Sequence, residues 1–113
     1  MKIRVYSITQ QNGKIIKKVE LIDNSLESMQ QFIGGYIEKI PLIPEKGIVI
    51  LCDEDASYKG SILTSSWELS IKGIEKTTIG IKGNHFICKE GKNNFVSLSD
   101  RDIKAIQQIE REI

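Results

Sequence analysis

One segment in the first third of the chain, residues 24–38, encodes a short helix followed directly by a strand. Asn24 is placed to accept a hydrogen bond from the first helical turn, and Glu27, three residues later, completes a capping box. Gly34 suits the left-handed position that ends a helix, and a strand is predicted to begin at Tyr36. The apolar residues between these signals recur at helical spacing and predict a helix of about three turns that docks on a sheet: Leu26, Met29, Phe32 and Ile33.

Strand patterns lie on both sides of this helix. Residues 1–8 and 14–22 alternate in polarity, and the Asn12-Gly13 pair between them is the strongest short signal for a β-hairpin, because both residue types tolerate positive φ. Residues 47–52 are continuously apolar and rich in β-branched side chains, which indicates a central strand covered on both faces. Further strand-like runs cover residues 36–42, 77–81, 85–89 and 95–98.

A second helix is predicted at the C-terminal end. Ser99 caps it, Asp102 completes the capping box, and its apolar stripe comprises Ile103, Ile106, Ile109 and Ile113. Residues 56–76 scatter Ser, Gly and Lys among apolar residues, so this stretch is either a loop or one or two short strands. We therefore predict a single domain, 1–113, of the α+β class: a mostly antiparallel sheet of five to seven strands with two short helices. One helix follows the first hairpin and packs on one face of the sheet, and the C-terminal helix closes an edge or the second face.

Length and charge limit the classes of protein to which the chain can belong. Its 113 residues fit one domain, and a net charge of +1 argues against a dedicated nucleic-acid binder. The longest apolar run, residues 48–52, is far too short to cross a bilayer. Residues 1–5 alternate charged and apolar side chains, which indicates a strand and not a signal peptide. We therefore expect a cytoplasmic protein that has neither a membrane nor a nucleic acid as its partner.

Residue types that carry catalysis are few. Cys52 and Cys88 fit reduced thiols within strands; a disulfide or a nucleophile is the alternative, and a zinc site needs more Cys and His. His85 and Cys88 are three apart in a strand and so point to opposite faces, which disfavours a thiol–imidazole pair and favours an exposed histidine. The acidic residues 53–55 fit a solvated turn better than a cation site, because no Asp-x-Asp-x-Asp-Gly loop is present. We expect no catalytic residue, metal or cofactor.

Two places depart from simple alternation and are candidates for binding. Tyr36 and Glu38 share one face of the predicted strand, near Asp53 at the end of the central strand. The amides of residues 34–35 could hold an anion, but they lie at the C-terminal end of a helix, where the dipole repels anions, so a cap is favoured. Trp67 is either a core residue of a late strand or an exposed anchor for a partner. These four side chains are the candidate ligand- or partner-binding residues.

Three stretches carry a resemblance to a known family: the Leu-Glu-x-x-Gln helix that runs into Gly-Gly-Tyr-Ile-Glu (Leu26 to Glu38), the strand end Cys-Asp-Glu (Cys52 to Glu54), and the run Phe-x-Ser-Leu-Ser-Asp (Phe95 to Asp100). On these residues the chain resembles the family known as domain of unknown function 3846, small proteins typical of phages, plasmids and integrated elements of bacteria. The resemblance covers about residues 14–103. The chain departs from the family pattern after Gly60, where relatives often carry a Leu-Pro-x-Asn-Arg stretch.

The resemblance implies an origin and no reaction, so three functions stay open. The first is a non-catalytic binding protein of phage or mobile-element origin that interferes with a host defence protein. The second is a small-ligand or nucleotide-binding module that sequesters a signal molecule, which would need a polar pocket near Tyr36, Glu38 and Asp53. The third, least favoured, is an enzyme centred on Cys52 or the acidic cluster. A homodimer is compatible with all three, because the edges of a small sheet need covering.

Overall fold

The computed structural model describes residues 1–71, 73 and 75–113. Its elements, in chain order, are β1 (Lys2–Gln11), β2 (Lys14–Asp23), α1 (Leu26–Ile33), β3 (Ile37–Ile43), a 3₁₀ turn (Pro44–Lys46), β4 (Ile48–Asp53), β5 (Leu63–Ile71), β6 (Glu75–Lys82), β7 (His85–Glu90), β8 (Phe95–Val96), α2 (Asp100–Ile109) and β9 (Glu110–Arg111). They form two antiparallel sheets, one with the order β2–β1–β7–β4–β3 plus β8 beside β7, the other with the order β6–β5–β9. The predicted α+β class and the positions of both helices are confirmed.

The first hairpin forms where the Asn-Gly pair predicts it. Asn12 and Gly13 have φ values of 51° and 78°, the left-handed conformation that a two-residue turn needs. The pairing of β1 with β2 starts at Gln11 opposite Lys14 and continues without a shift to Lys2 opposite Asp23. This unbroken register makes β2 a straight edge of the larger sheet.

Helix α1 starts and ends through two different devices. The predicted cap at Asn24 is wrong: Ser25 is the N-cap, and its hydroxyl accepts from the Ser28 amide at 3.2 Å. The Asn24 side chain instead donates to Asn94 Oδ1 at 2.8 Å and to the Phe95 carbonyl at 3.0 Å, because the turn before β8 lies beside it. At the other end the predicted Gly34 cap is confirmed, with φ of 88° and an amide that bonds to the Gln30 carbonyl.

Strand β4 is the centre of the molecule, as its continuous apolar run predicts. All six of its residues are buried, between β3 and β7. The side chains of Val49 and Leu51 pack under α1 with Met29 and Ile33. Those on the opposite face, including Ile50, pack against the second sheet and α2.

The second sheet was not predicted. Residues 63–71 form one long strand, where the sequence left a loop and one or two short strands open; Lys72 and Ile74 of that region lie outside the described residues. Trp67 and Ile81 from this sheet pack against Ile8 and Ile87 of the first sheet. Non-local pairing of this kind leaves little local signal, since the three serines and the threonine among the apolar residues of β5 are equally typical of a loop.

Helix α2 closes the face that the second sheet leaves open. The predicted capping box is present, with Ser99 Oγ accepting from the Asp102 amide at 3.1 Å and Asp102 Oδ2 accepting from the Ser99 amide at 2.9 Å. Ile103 and Ile106 are buried as predicted, but the helix ends at Ile109, and Ile113 is exposed beyond β9. In the described part of the chain neither helix has the length and apolar character needed to cross a membrane.

Candidate functional site

The loops that follow α1 and β4 meet in one ion pair, between the buried carboxylate of Asp53 and the half-exposed ammonium of Lys59. Asp53 Oδ2 accepts from Lys59 Nζ at 2.8 Å, and Asp53 Oδ1 accepts from the Asp55 amide at 2.9 Å. Lys59 Nζ also donates to the Gly34 carbonyl at 2.8 Å, one of the carbonyls left free at the end of the helix. Burial raises the pKa of Asp53, but the hydrogen bonds from Lys59 and the Asp55 amide outweigh burial, so its pKa lies below the ordinary value.

A side chain at position 35 would displace this ion pair, because the ion pair occupies the place of that side chain. A Cβ atom built on Gly35 would lie 2.7 Å from Lys59 Nζ and 2.8 Å from Asp53 Oδ1, closer than such atoms approach. Gly34 is different: it needs positive φ, and its Cβ would meet nothing within 4 Å. The two glycines therefore serve two separate requirements. We call the group Gly34, Gly35, Asp53 and Lys59 the Gly35 junction.

Two tyrosines stand exposed on the loops that the Gly35 junction holds. Tyr36 is 68% exposed and Tyr58 is 92% exposed. The backbone under Tyr36 is fixed, since its carbonyl accepts from the Glu54 amide at 2.9 Å. Tyr58 precedes Lys59 in the 53–60 turn. Sequence reasoning missed it, because its only signal is an aromatic residue in a polar turn. We refer to these two exposed side chains, which stand on segments joined through Lys59, as the tyrosine surface.

The other predicted residue of this region, Glu38, lies on the opposite side of the sheet from the Asp53 side chain. Glu38 pairs with Cys52, whereas Asp53 pairs with Ile37, and paired residues share a face. Glu38 is exposed at the rim of a cavity of about 170 Å³ whose lining also includes Cys52, Ala56, Ser57, Ile81 and Lys82. The predicted residues Tyr36, Glu38 and Asp53 are neighbours in the fold. Asp53 lines the same cavity as Glu38, but its carboxylate bonds to Lys59 on the opposite side of the sheet from the Glu38 side chain.

Trp67 does not belong to this region. It is completely buried between the two sheets, which selects the core alternative over the exposed anchor. Its indole N–H donates to Ser65 Oγ at 2.8 Å, so the polar atom of the ring keeps a partner in the core. A partner cannot contact this side chain in the structure as it stands.

The exposed histidine predicted at position 85 is also wrong, because the second sheet covers β7 there. His85 is completely buried, and its Nδ1 lies 2.9 Å from the Gly83 carbonyl. A carbonyl oxygen can only accept, so Nδ1 carries the proton and Nε2 accepts from Ser65 Oγ at 2.8 Å. Burial lowers the pKa of His85 from 6.5 to about 4, with the nearby Lys17 acting in the same direction. The ring is therefore neutral at pH 7.

A serine hydrogen-bonded to a neutral, oriented imidazole is the arrangement of an activated nucleophile. Here, however, Ser65, Trp67 and His85 are all closed off in the core, and none of them lines the cavities described in this section. The group satisfies polar atoms that would otherwise be unpaired between the sheets. Sequence reasoning missed it because Ser65 and His85 are twenty positions apart and no motif joins them.

Both cysteines are free and buried, as predicted. Cys52 packs between the sheets and Cys88 packs under α1, so the two thiols lie on opposite faces of the larger sheet. Burial raises the pKa of each thiol from 9.0 to about 12. Neither therefore has the thiolate character that a nucleophile needs.

A surface groove with a volume of about 360 Å³ lies between the 3₁₀ turn, β5 and α2. Its floor is apolar, made by Leu42, Ile43, Leu69, Ala105 and Ile109, and its rim is charged: Glu45, Lys46, Glu68 and Lys76. Within the part of the chain that the structure covers, no three His, Cys, Asp or Glu side chains stand close enough to hold a metal ion.

Comparison with known proteins adds one finding. The family model described as Domain of unknown function (DUF3846) matches residues 3–111. Neither the curated proteins nor the solved structures contain a match to this chain. The match includes all of the Gly35 junction and the two elements that the junction joins, α1 and β4. It confirms the family that the resemblance indicates, and the chain belongs to the family described as Domain of unknown function (DUF3846).

Proposed function

We propose that this chain is a non-catalytic binding protein of phage or mobile-element origin, which acts in the cytoplasm by occupying a host defence protein. The single observation that carries the proposal is the tyrosine surface. Tyrosine supplies a large contact area at a low cost in conformational entropy, and exposed tyrosines are enriched at protein interfaces. Two of them, Tyr36 at 68% and Tyr58 at 92% exposure, stand on segments joined by one ion pair.

Rigid support strengthens the case for binding. Lys59 joins the segment of Tyr36 to the segment of Tyr58 through its bonds to the Gly34 carbonyl and to Asp53. An anchor whose backbone is already ordered loses less entropy on association than one on a mobile loop. The free, buried thiols are consistent with a reducing compartment.

The chemistry of the core favours binding over catalysis. The Ser65–His85 pair and both cysteines are enclosed, and the thiols are protonated at pH 7. The exposed polar residues offer no base held beside a nucleophile in the regions described above. The enzyme hypothesis, centred on Cys52 or the acidic cluster, therefore ranks last.

The test is affinity capture from a lysate of the bacterial host. Wild-type protein should retain a specific host protein, and Tyr36→Ala and Tyr58→Ala should each reduce the captured amount by about tenfold or more, as anchor residues do. Ile113→Ala, which truncates an exposed apolar residue at the other end of the chain, is the matched control and should capture normally. Turnover of a nucleotide or peptide substrate, abolished by Asp53→Asn or Cys52→Ser, would overturn the proposal in favour of an enzyme.

A second candidate is a small-ligand module that sequesters a signal molecule. The cavity beside Glu38 favours it, because Glu38 and Lys82 offer charges of both signs at one opening. Its volume of about 170 Å³ is below the range usual for drug-sized ligands, so a whole nucleotide would protrude from it. Isothermal titration of wild type and Glu38→Ala with nucleotides and amino acids distinguishes this candidate: saturable heat that is lost in the variant supports it, and absence of heat counts against it.

A further inference from the structure

The free edge of β2 carries a charge pattern that matches itself in reverse. Lys14, Lys17 and Lys18 occupy its first half, and Glu20 and Asp23 occupy its second half. An antiparallel second copy of the strand can set Lys18 against Glu20, whereas a parallel copy in register would set like charges together. We propose that two copies of this protein associate through β2, in one antiparallel register about Val19, to join their larger sheets into one. This inference is independent of the proposed function.

The edge is available for pairing. Strand β2 ends the order β2–β1–β7–β4–β3, so among the described residues nothing pairs with its outer side. It is ten residues long, with an unbroken register to β1 and no proline. The opposite edge, β3, is protected in two ways. Pro41 has no N–H to donate, and the pairing of β3 with β4 shifts register between Pro41 and Ile43. A long, regular edge is a template for another strand unless its charges repel that strand, and Glu20 of a second copy opposite Lys18 would remove this repulsion.

The hairpin geometry fixes which residues of β2 can bond outward. Gln11 and Lys14 close a two-residue turn and so exchange both hydrogen bonds. Because bonding alternates along a strand, the even-numbered residues of β2 bond to β1, and the odd-numbered residues direct their N–H and C=O groups at the free edge. Val19 is odd-numbered, so two Val19 residues on a two-fold axis would exchange a pair of hydrogen bonds.

The faces of the sheet restrict the register further. Ile15 packs toward the second sheet and Ile22 packs toward the α1 side, so odd and even residues of β2 occupy opposite faces. A two-fold axis that relates antiparallel edge strands is perpendicular to the sheet and keeps each face on its own side. Residues that oppose each other must then share a face, and only odd-with-odd or even-with-even pairs are allowed.

Charge selects one of the remaining registers. An axis through Lys18 or through Glu20 would place each of these charges against its own copy, which is unfavourable. An axis through Val19 places Lys18 opposite Glu20 of the second copy, twice, and Ile16 opposite Ile22. On the other face it joins the two Val19 side chains, which are 39% exposed, and brings Leu21, which is 61% exposed, beside the aliphatic stem of Lys17. Apolar surface left open in one copy is thus covered by the other.

Charge exchange tests the register directly. We expect sedimentation velocity over a range of concentrations to show a monomer–dimer equilibrium for wild type. Lys18→Glu and Glu20→Lys each create two like-charge pairs across the axis and should weaken the dimer by about tenfold or more. The double variant Lys18→Glu/Glu20→Lys should recover the wild-type equilibrium. An equimolar mixture of the two single variants should form a heterodimer, because each Glu at position 18 then meets a Lys at position 20.

Circular dichroism of each variant is the control for folding. We expect each variant to fold, because Lys18 is exposed and the Glu20 carboxylate bonds to Ser7 and Lys18 at the edge of the sheet. Val19→Lys is the second probe: it puts two cations on the axis and should also give monomers. A wild type that sediments as a monomer at all concentrations overturns the proposal. So does a dimer that persists in Lys18→Glu and Val19→Lys, or single variants that stay monomeric when mixed.

Discussion

Lys59 Nζ and Asp53 Oδ2 meet at 2.8 Å in the space that a side chain at position 35 would fill. The contact joins the end of α1 to the end of β4, the two places where the family resemblance is strongest. It accounts for Gly35 and Asp53, and it ties the 53–60 turn to the end of α1. A structural role for these residues is therefore established by geometry, whatever they bind.

The two glycines should respond differently to the same substitution. Gly34→Ala should cost about 1 kcal/mol of the free energy of unfolding, from positive φ alone. Gly35→Ala should cost about 1–3 kcal/mol, because it separates Lys59 from a buried carboxylate, with the partial exposure of Lys59 keeping the cost toward the lower end. Denaturant unfolding measures both free energies.

Lys59→Met supplies the control for this prediction. It removes the ammonium while keeping the length of the side chain, so Gly35→Ala should cost less in the Lys59→Met background than in wild type. The cost of Gly34→Ala should be nearly the same in both backgrounds. Equal costs of Gly35→Ala in both backgrounds would contradict the steric explanation.

The start of α1 offers a second comparison. Ser25→Ala removes the cap and should cost about 1 kcal/mol of unfolding free energy, with faster hydrogen exchange at the Ser28 amide. Asn24→Ala should leave that amide protected and instead loosen the turn before β8, since it removes the donors to Asn94 and Phe95. Hydrogen exchange measured residue by residue decides which of the two residues caps α1. Loss of protection at the Ser28 amide in Asn24→Ala but not in Ser25→Ala would show that Asn24, and not Ser25, is the cap.

The sequence predicted the parts of this fold that are governed by local rules. The Asn12-Gly13 turn, the Gly34 cap, the Ser99 capping box and the buried run of β4 depend on neighbours in the chain, and all are confirmed. The cap at Asn24 failed because two adjacent residues, Asn24 and Ser25, both fit the position. A turn distant in sequence engages Asn24.

Features of the fold that depend on contacts between distant segments could not be predicted from the sequence. Three serines and a threonine stand among the apolar residues of β5, and only pairing with β6 and burial against β7 make it a core strand. The burial of His85 follows from that second sheet, so both failures have one cause. Of the four predicted binding residues, Tyr36, Glu38 and Asp53 lie together because the register of β3 on β4 brings them there, while Trp67 lies in the core.

Both thiols should be unreactive in the native protein. With the pKa raised from 9.0 to about 12, the thiolate fraction at neutral pH falls by about a thousandfold, and burial blocks access as well. Alkylation followed by mass spectrometry should therefore show slow labelling of Cys52 and Cys88 and rapid labelling after unfolding in denaturant. Rapid native labelling of Cys52 alone would mean that the neighbouring cavity opens to it. A disulfide in protein purified without reductant would contradict the assignment of free thiols.

His85 should make the stability of the protein depend on pH in a defined window. Its pKa is about 4 in the folded protein and 6.5 when unperturbed, so between these values the unfolded chain binds a proton that the folded protein excludes. Stability should therefore fall as pH is lowered from about 6.5 to about 4, by up to about 3 kcal/mol, and this contribution should level off below that window. The carboxylates of Asp53 and Asp102 act separately, because their pKa values are lowered from 3.8 and their stabilisation is lost only in more acidic solution.

His85→Gln keeps a donor and an acceptor in the core but has no titrating ring, so it should be less stable at pH 7 and lack the loss between pH 6.5 and 4. Urea unfolding of both proteins at half-unit pH intervals gives the difference curve, and parallel curves for wild type and His85→Gln would show that the buried histidine does not carry the effect.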